Sequence, residues 1–127
     1  MSSIEALIIE DDEDCSLLLQ ETLMDFNICS HRASSLREGQ GYLLTNSPDL
    51  FVLDVSLNDG NGFALCEYLR SQARFKDTPV VFVSGMDEAL GEEECEHVDG
   101  SAWFTKPLDH EKFAKFIHSC RLGCDEK

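Results

Sequence analysis

Four short apolar runs, each closed by a polar side chain, recur along this chain with helix-like segments between them. Leu7-Ile8-Ile9 runs into Glu10-Asp11-Asp12, Leu50–Leu53 into Asp54, Val80–Val83 into Ser84, and Ala102–Thr105 into Lys106-Pro107. The second run is continuously apolar rather than alternating, as a strand buried on both faces is. Such runs, alternating with segments of helical period, build βαβ units and a parallel sheet. Ligands of an open parallel sheet bind outside the carboxyl ends of its strands. The four polar ends therefore predict one shared site.

The spacing predicts five strands and five helices in alternation. Strands are expected at Glu5–Ile9, near Asn27–Arg32, and at Leu50–Leu53, Val80–Val83 and Ala102–Thr105. A first helix from about Glu13 carries a stripe of Cys15, Leu18, Leu19, Thr22 and Phe26 at helical spacing. A second, Ser35–Leu44, has Ser34 or Ser35 as its cap; Gly39 and Gly41 weaken it by roughly 1 kcal/mol each. A third, Gly62–Ala73, points Leu65, Cys66, Leu69 and Ala73 inward. A fourth, Asp87–His97, is poorly specified: it contains Gly91 and a run of glutamates, with Leu90 and Val98 as its few apolar anchors. The fifth begins after Pro107 with Asp109 as cap and buries Phe113, Phe116, Ile117 and Cys120.

A length of 127 residues predicts a single domain, 1–127. No run approaches the roughly 20 apolar residues of a membrane span, and the start shows no secretion signal. A cytoplasmic chain without membrane contact is expected. Lys plus Arg number 10 against 25 Asp plus Glu, a net charge of −15. Such a surface repels a phosphate backbone, so no direct nucleic-acid binding is expected; a divalent cation or a basic partner patch is favoured. The six cysteines form no C-x-x-C pair, which suits a reduced chain. Cys95 and His97 do not share a helix face, which argues against zinc, and Cys120 and Cys124 are assigned no function.

The strand ends carry complementary chemistry. A carboxylate can attack a phosphoryl group to form an acyl phosphate, a reaction governed by positioning and charge neutralisation. Asp54, followed by the glycine-containing loop Asn58–Gly62, is the candidate acceptor. With it, Glu10 and Asp11 offer the oxygen ligands that Mg²⁺ prefers. Acids also favour helix starts, which leaves Asp12 open between a metal role and a cap. Ser84 and Lys106 alone would read as a turn serine and a solvated lysine; beside Asp54 they read as catalytic partners of the phosphoryl oxygens.

On these residues the chain closely resembles the receiver domain of two-component response regulators, over essentially its whole length. The motifs are Ile9-Glu10-Asp11-Asp12, Leu53–Leu57 with Gly62, Val83-Ser84-Gly85 and Thr105-Lys106-Pro107. The resemblance implies a flavodoxin-like α/β fold, a doubly wound five-stranded parallel sheet of order 2-1-3-4-5. It implies Mg²⁺-dependent phosphoryl transfer to Asp54 from a histidine kinase or a histidine phosphotransfer protein. Glu10, Asp11, Asp54 and the Ser56 carbonyl would hold Mg²⁺, Ser84 and Lys106 would engage the phosphoryl oxygens, and Trp103 would be the aromatic switch. Phosphorylation is then expected to re-bias the surface of the fourth helix, fifth strand and fifth helix toward a downstream target or a fused output domain, in a monomer or weak dimer. Such a chain is a signalling domain, not an enzyme beyond its own phosphorylation and autodephosphorylation.

Two departures stand out. Asn58 occupies the place where the family usually has proline, and Trp103 is bulkier than the usual tyrosine or phenylalanine. A haloacid dehalogenase-type phosphatase would need an aspartate where Ser56 stands. A flavin-binding flavodoxin would need a phosphate cradle where the first strand ends in acids. The remaining alternative is a degenerate receiver acting as a phosphorylation-independent binding module, although every ligand position is filled.

Overall fold

A computed structural model describes residues 4–120. Its elements are β1 (Ile4–Ile9), α1 (Glu13–Met24), β2 (Ile28–Ala33), α2 (Leu36–Leu43), β3 (Leu50–Leu53), β4 (Ser56–Leu57), β5 (Gly60–Asn61), α3 (Gly62–Arg70), β6 (Val80–Ser84), α4 (Glu88–His97), β7 (Ala102–Thr105) and α5 (His110–Ser119). Five strands form one parallel sheet of order β2-β1-β3-β6-β7. Counting only the strands of that sheet, this is the expected order 2-1-3-4-5.

Pleating divides the apolar runs between two cores, because successive strand residues point to opposite faces. Leu7, Ile9, Phe51, Leu53, Val80 and Phe82 face Leu43 of α2, Leu65, Cys66 and Leu69 of α3, and Cys95 of α4. Ala6, Ile8, Leu50, Val52, Val81 and Val83 face Leu19 and Leu23 of α1 and Phe113 and Ile117 of α5. Burying each large side chain contributes about 1.5–3 kcal/mol, which is what holds helices this short in place.

Each helix starts on a polar cap. Asp12, Ser35, Asn61, Asp87 and Asp109 accept from the backbone amides of Asp14, Glu38, Phe63, Leu90 and Lys112, respectively. Asp12 is thus engaged as the cap of α1.

Several expected anchors lie elsewhere. Leu18 is exposed, and Leu23 is buried in its stead on the α1 stripe. In α4 the buried positions are Gly91 and Cys95, while Leu90 is 56% exposed. α3 stops at Arg70, so Ala73 is solvent-exposed rather than inward. The Arg70 guanidinium donates to the carbonyls of Phe75 (2.9 Å) and Thr78 (2.7 Å), folding the chain back. Ala73–Phe75 then forms a single 3₁₀ turn that buries Phe75 edge-on against Phe51, centroids 5.1 Å apart. That aromatic burial outweighs another turn of helix. The hairpin of β4 and β5, between β3 and α3, was not anticipated.

Burial pushes the thiols of Cys66 and Cys95 up to about 11; Cys66 packs inward as a small apolar group, as expected, and Cys95 does so as well. Cys124 lies outside the described residues.

Candidate functional site

The parallel register aligns the strand ends. Ile9 pairs with Leu53, Leu53 with Phe82, and Ser84 with Thr105. The next residue in three of these strands is polar: Glu10, Asp54 and Lys106. Their backbones are fixed by continuing the ladder, since Asp54 N donates to Ile9 O (3.0 Å) and Lys106 N to Ser84 O (2.8 Å). The expected residues Glu10, Asp54, Ser84 and Lys106 therefore lie side by side at the carboxyl end of the sheet.

Carboxylate oxygens of Glu10, Asp11 and Asp54 lie within 4.8 Å of one another. Glu10 and Asp54 are buried, at 3% and 6% exposure, and Asp11 is open to solvent. Lys106 Nζ reaches both buried acids, 2.9 Å from Glu10 Oε1 and 3.3 Å from Asp54 Oδ2. The Glu10 contact is an ion pair without hydrogen-bond alignment, so Oε1 is buried with no directed donor. Burial pushes the Glu10 carboxyl up to about 7, against the Lys106 ammonium and the Asp12 amide, which pull it down. Burial works to lower the Lys106 ammonium, but the close Glu10 and Asp54 carboxylates outweigh it and keep the lysine charged.

The remaining expected residues fall around this cluster. Ser56 N donates to Asp54 Oδ1 (3.3 Å), and the loop closes when Gly62 N donates to Val55 O (2.8 Å). A Cβ at position 62 would overlap the carbonyl oxygen of Asp54, so glycine is required there. Ser84, 2% exposed, accepts from Met86 N (3.2 Å). Trp103 is half-buried between Phe63 (centroids 6.1 Å, nearly parallel) and Phe82 (6.2 Å). Its indole lies where a Cβ at Gly91 would be, and its Nε1 donates to Thr105 Oγ1 (2.9 Å), which bonds Glu88 Oε1 (3.3 Å). Thus Trp103 joins β7 to α4.

Known proteins converge on one family. The response regulator receiver domain is matched over residues 6–118. The chain belongs to the response regulator receiver family. A receiver domain is a signalling domain of two-component systems rather than a conventional enzyme. Response regulator protein PilR of Pseudomonas aeruginosa is 31% identical over 112 residues, 86% of this receiver and 24% of PilR. A two-component response regulator from Clostridium difficile has a TM-score of 0.82 at 26% identity, over 91% of this receiver and 93% of that chain. The chemotaxis response regulator CheY4 of Vibrio cholerae, at 21% identity, shares the fold with a TM-score of 0.83, over 92% of this receiver and 98% of that chain. The receiver spans less than half the length of the curated relatives it matches. Among the described residues no helix is long and apolar enough to cross a membrane.

The donor set suits Mg²⁺. Three hard carboxylate oxygens stand close together, one with an open side for water, and the Glu10 oxygen lacks a directed donor.

Proposed function

We propose that this receiver, a single domain of residues 1–127, is a Mg²⁺-dependent phosphoacceptor with Asp54 as its nucleophile. The supporting observation is the cluster itself: three carboxylates within 4.8 Å, two of them buried, with Lys106 bridging Asp54 and Glu10. An Asp54 carboxylate oxygen attacks the phosphorus of a phosphohistidine on a kinase or phosphotransfer protein. The P–N bond breaks, its electron pair returns to the imidazole, and an acyl phosphate forms on Asp54. Glu10, Asp11, Asp54 and the Ser56 carbonyl would hold Mg²⁺, and neutralisation of the phosphoryl oxygens is what the ion supplies when bound. Lys106 follows the negative charge from the carboxylate to the phosphoryl group. The Ser84 hydroxyl leaves the Met86 amide to donate to a phosphoryl oxygen. Water attack on the acyl phosphate later returns Asp54 and inorganic phosphate.

Output follows from the connection of Trp103 to α4. Lys106 and Thr105 are neighbours, and Thr105 links the indole to Glu88. Rearrangement at Lys106 therefore pulls on α4, β7 and α5 together and changes the surface offered to a downstream protein or a fused output domain.

Intact mass after incubation with a small phosphodonor and Mg²⁺ tests the reading. Gain of one phosphoryl group is expected in the wild type, and none in Asp54→Ala or in EDTA. No gain with any donor would leave a phosphorylation-independent binding module.

A further inference from the structure

The loop that carries Ser56 is held from a side no family motif mentions. Asp59 sits in the turn between β4 and β5, five residues after the acceptor. Its two carboxylate oxygens accept separately from the first two amides of α2: Oδ1 from Leu36 N at 2.9 Å and Oδ2 from Arg37 N at 3.0 Å. These amides have no acceptor inside their own helix. Ser35, the ordinary cap, serves the next one, Glu38 N, at 3.1 Å. Gly60 brings the hairpin backbone down onto α2, since a Cβ there would overlap Leu36 Cδ1. At its other end the loop is pinned by Gly62 against the Asp54 carbonyl. Ser56 lies between these two anchors. Asn58, beside Asp59, lacks the ring that would stiffen the turn. A cavity of about 320 Å³ opens beside Glu10, Asp11, Ser34 and Glu38, so the start of α2 and the acidic cluster border the same space.

We infer that Asp59 is a positioning residue for the cation site: its two-pronged hold on α2 sets the loop carrying the Ser56 carbonyl and couples the start of α2 to occupancy at Asp54. This rests on the Mg²⁺ reading above. Asp59 is fully exposed and stands outside the carboxylate cluster of Glu10, Asp11 and Asp54. It acts through the hairpin, as the outer hydrogen bonds of metal sites act through their ligands. Coupling between two sites is reciprocal. An ion that steadies the loop must therefore also tighten the Leu36 and Arg37 amides.

The alternative is that Asp59 merely caps a helix. Ser35→Ala separates the two, because it removes a cap bond from the same helix and leaves the hairpin alone. The experiment is a Mg²⁺ titration followed by backbone amide NMR shifts, with no phosphodonor, for wild type, Asp59→Ala, Asp59→Asn and Ser35→Ala. Each is held well below its melting temperature. Asp59→Ala is expected to weaken Mg²⁺ about five- to tenfold, Asp59→Asn by less, and Ser35→Ala by under about twofold although it also lowers Tm. Saturating Mg²⁺ should slow hydrogen exchange at Leu36 and Arg37 in the wild type and not in Asp59→Ala. Equal Mg²⁺ affinities in Asp59→Ala and wild type, or equal losses in Asp59→Ala and Ser35→Ala, would reduce Asp59 to a cap. Absence of saturable Mg²⁺ binding in the wild type would overturn the cation reading and this inference with it.

Discussion

Glu10 departs far from its intrinsic chemistry. Its carboxyl, ordinarily near 4.5, is pushed up to about 7, chiefly by burial. Between those values the folded chain holds a proton that the unfolded chain has released. Raising the pH through that window therefore removes stability, and the loss is complete above about 7. Thermal melts without metal should accordingly fall from about pH 5 to about pH 8. Mg²⁺ needs the carboxylate, so its binding releases the proton and its affinity should rise by up to about tenfold per pH unit below 7, then level off. Calorimetric titration at several pH values in buffers of different ionisation enthalpy checks both the slope and the proton count. Glu10→Gln should abolish the slope and bind Mg²⁺ weakly at every pH. At this scale the sequence reading placed each expected acid and Lys106 at a strand end, because the polar residue closing an apolar run marks that end. Asp59 was missed. A carboxylate in a turn looks like turn chemistry, and its partners at Leu36 and Arg37 belong to an element whose position only the fold supplies.

α4 illustrates how an element can be held without the usual anchors. Its apolar candidate Leu90 points to solvent, while Gly91 receives the face of Trp103. Alanine is ordinarily better than glycine in a helix by about 1 kcal/mol. At position 91 the added methyl overlaps the indole, so Gly91→Ala should reverse that sign and cost about 1–3 kcal/mol. Gly41 in α2 has nothing within 4 Å of its Cβ position, and Gly41→Ala should stabilise by up to about 1 kcal/mol. Urea melts of both variants, with Trp103→Phe alone and combined with Gly91→Ala, test the pair; the double variant should recover most of the Gly91→Ala loss. The elements themselves were largely legible from apolar period and capping residues: Ser35 and Asp109 cap where expected. The exceptions have physical causes. Helical period at Ala73 yields to burial of Phe75, and a hairpin of two-residue strands, Ser56–Leu57 with Gly60–Asn61, is too short to show a period. The scarcity of apolar anchors in the fourth helix was legible from its run of glutamates; that Gly91 is a seat for Trp103 was not, because the two are joined only by tertiary packing.

Across the molecule, one sheet separates two apolar cores, and a net charge of −15 is spread over 127 residues. The order of strands followed from the resemblance and is observed, since alternating strands and helices leave few ways to cover both faces of a parallel sheet. The excess charge repels itself and works against the compact state. Raising NaCl from about 0.02 to about 0.5 M should lift Tm by a few degrees through screening. Mg²⁺ at matched ionic strength should lift it further, because a ligand of the folded state adds its own linkage. Calorimetric scans of wild type and Asp54→Ala separate the two effects: the salt increment should persist in the variant and the Mg²⁺ increment should shrink. Equal increments from NaCl and Mg²⁺ at matched ionic strength would mean that the acidic edge attracts cations only as a diffuse cloud.

The seat of Trp103 on Gly91 also makes the two positions energetically dependent on each other. A larger residue at 91 crowds the indole at 103, whereas a glycine at 91 leaves space for a smaller ring. While the tryptophan is present, each larger residue at 91 carries a packing cost, so the effect of a change at one position depends on the residue at the other.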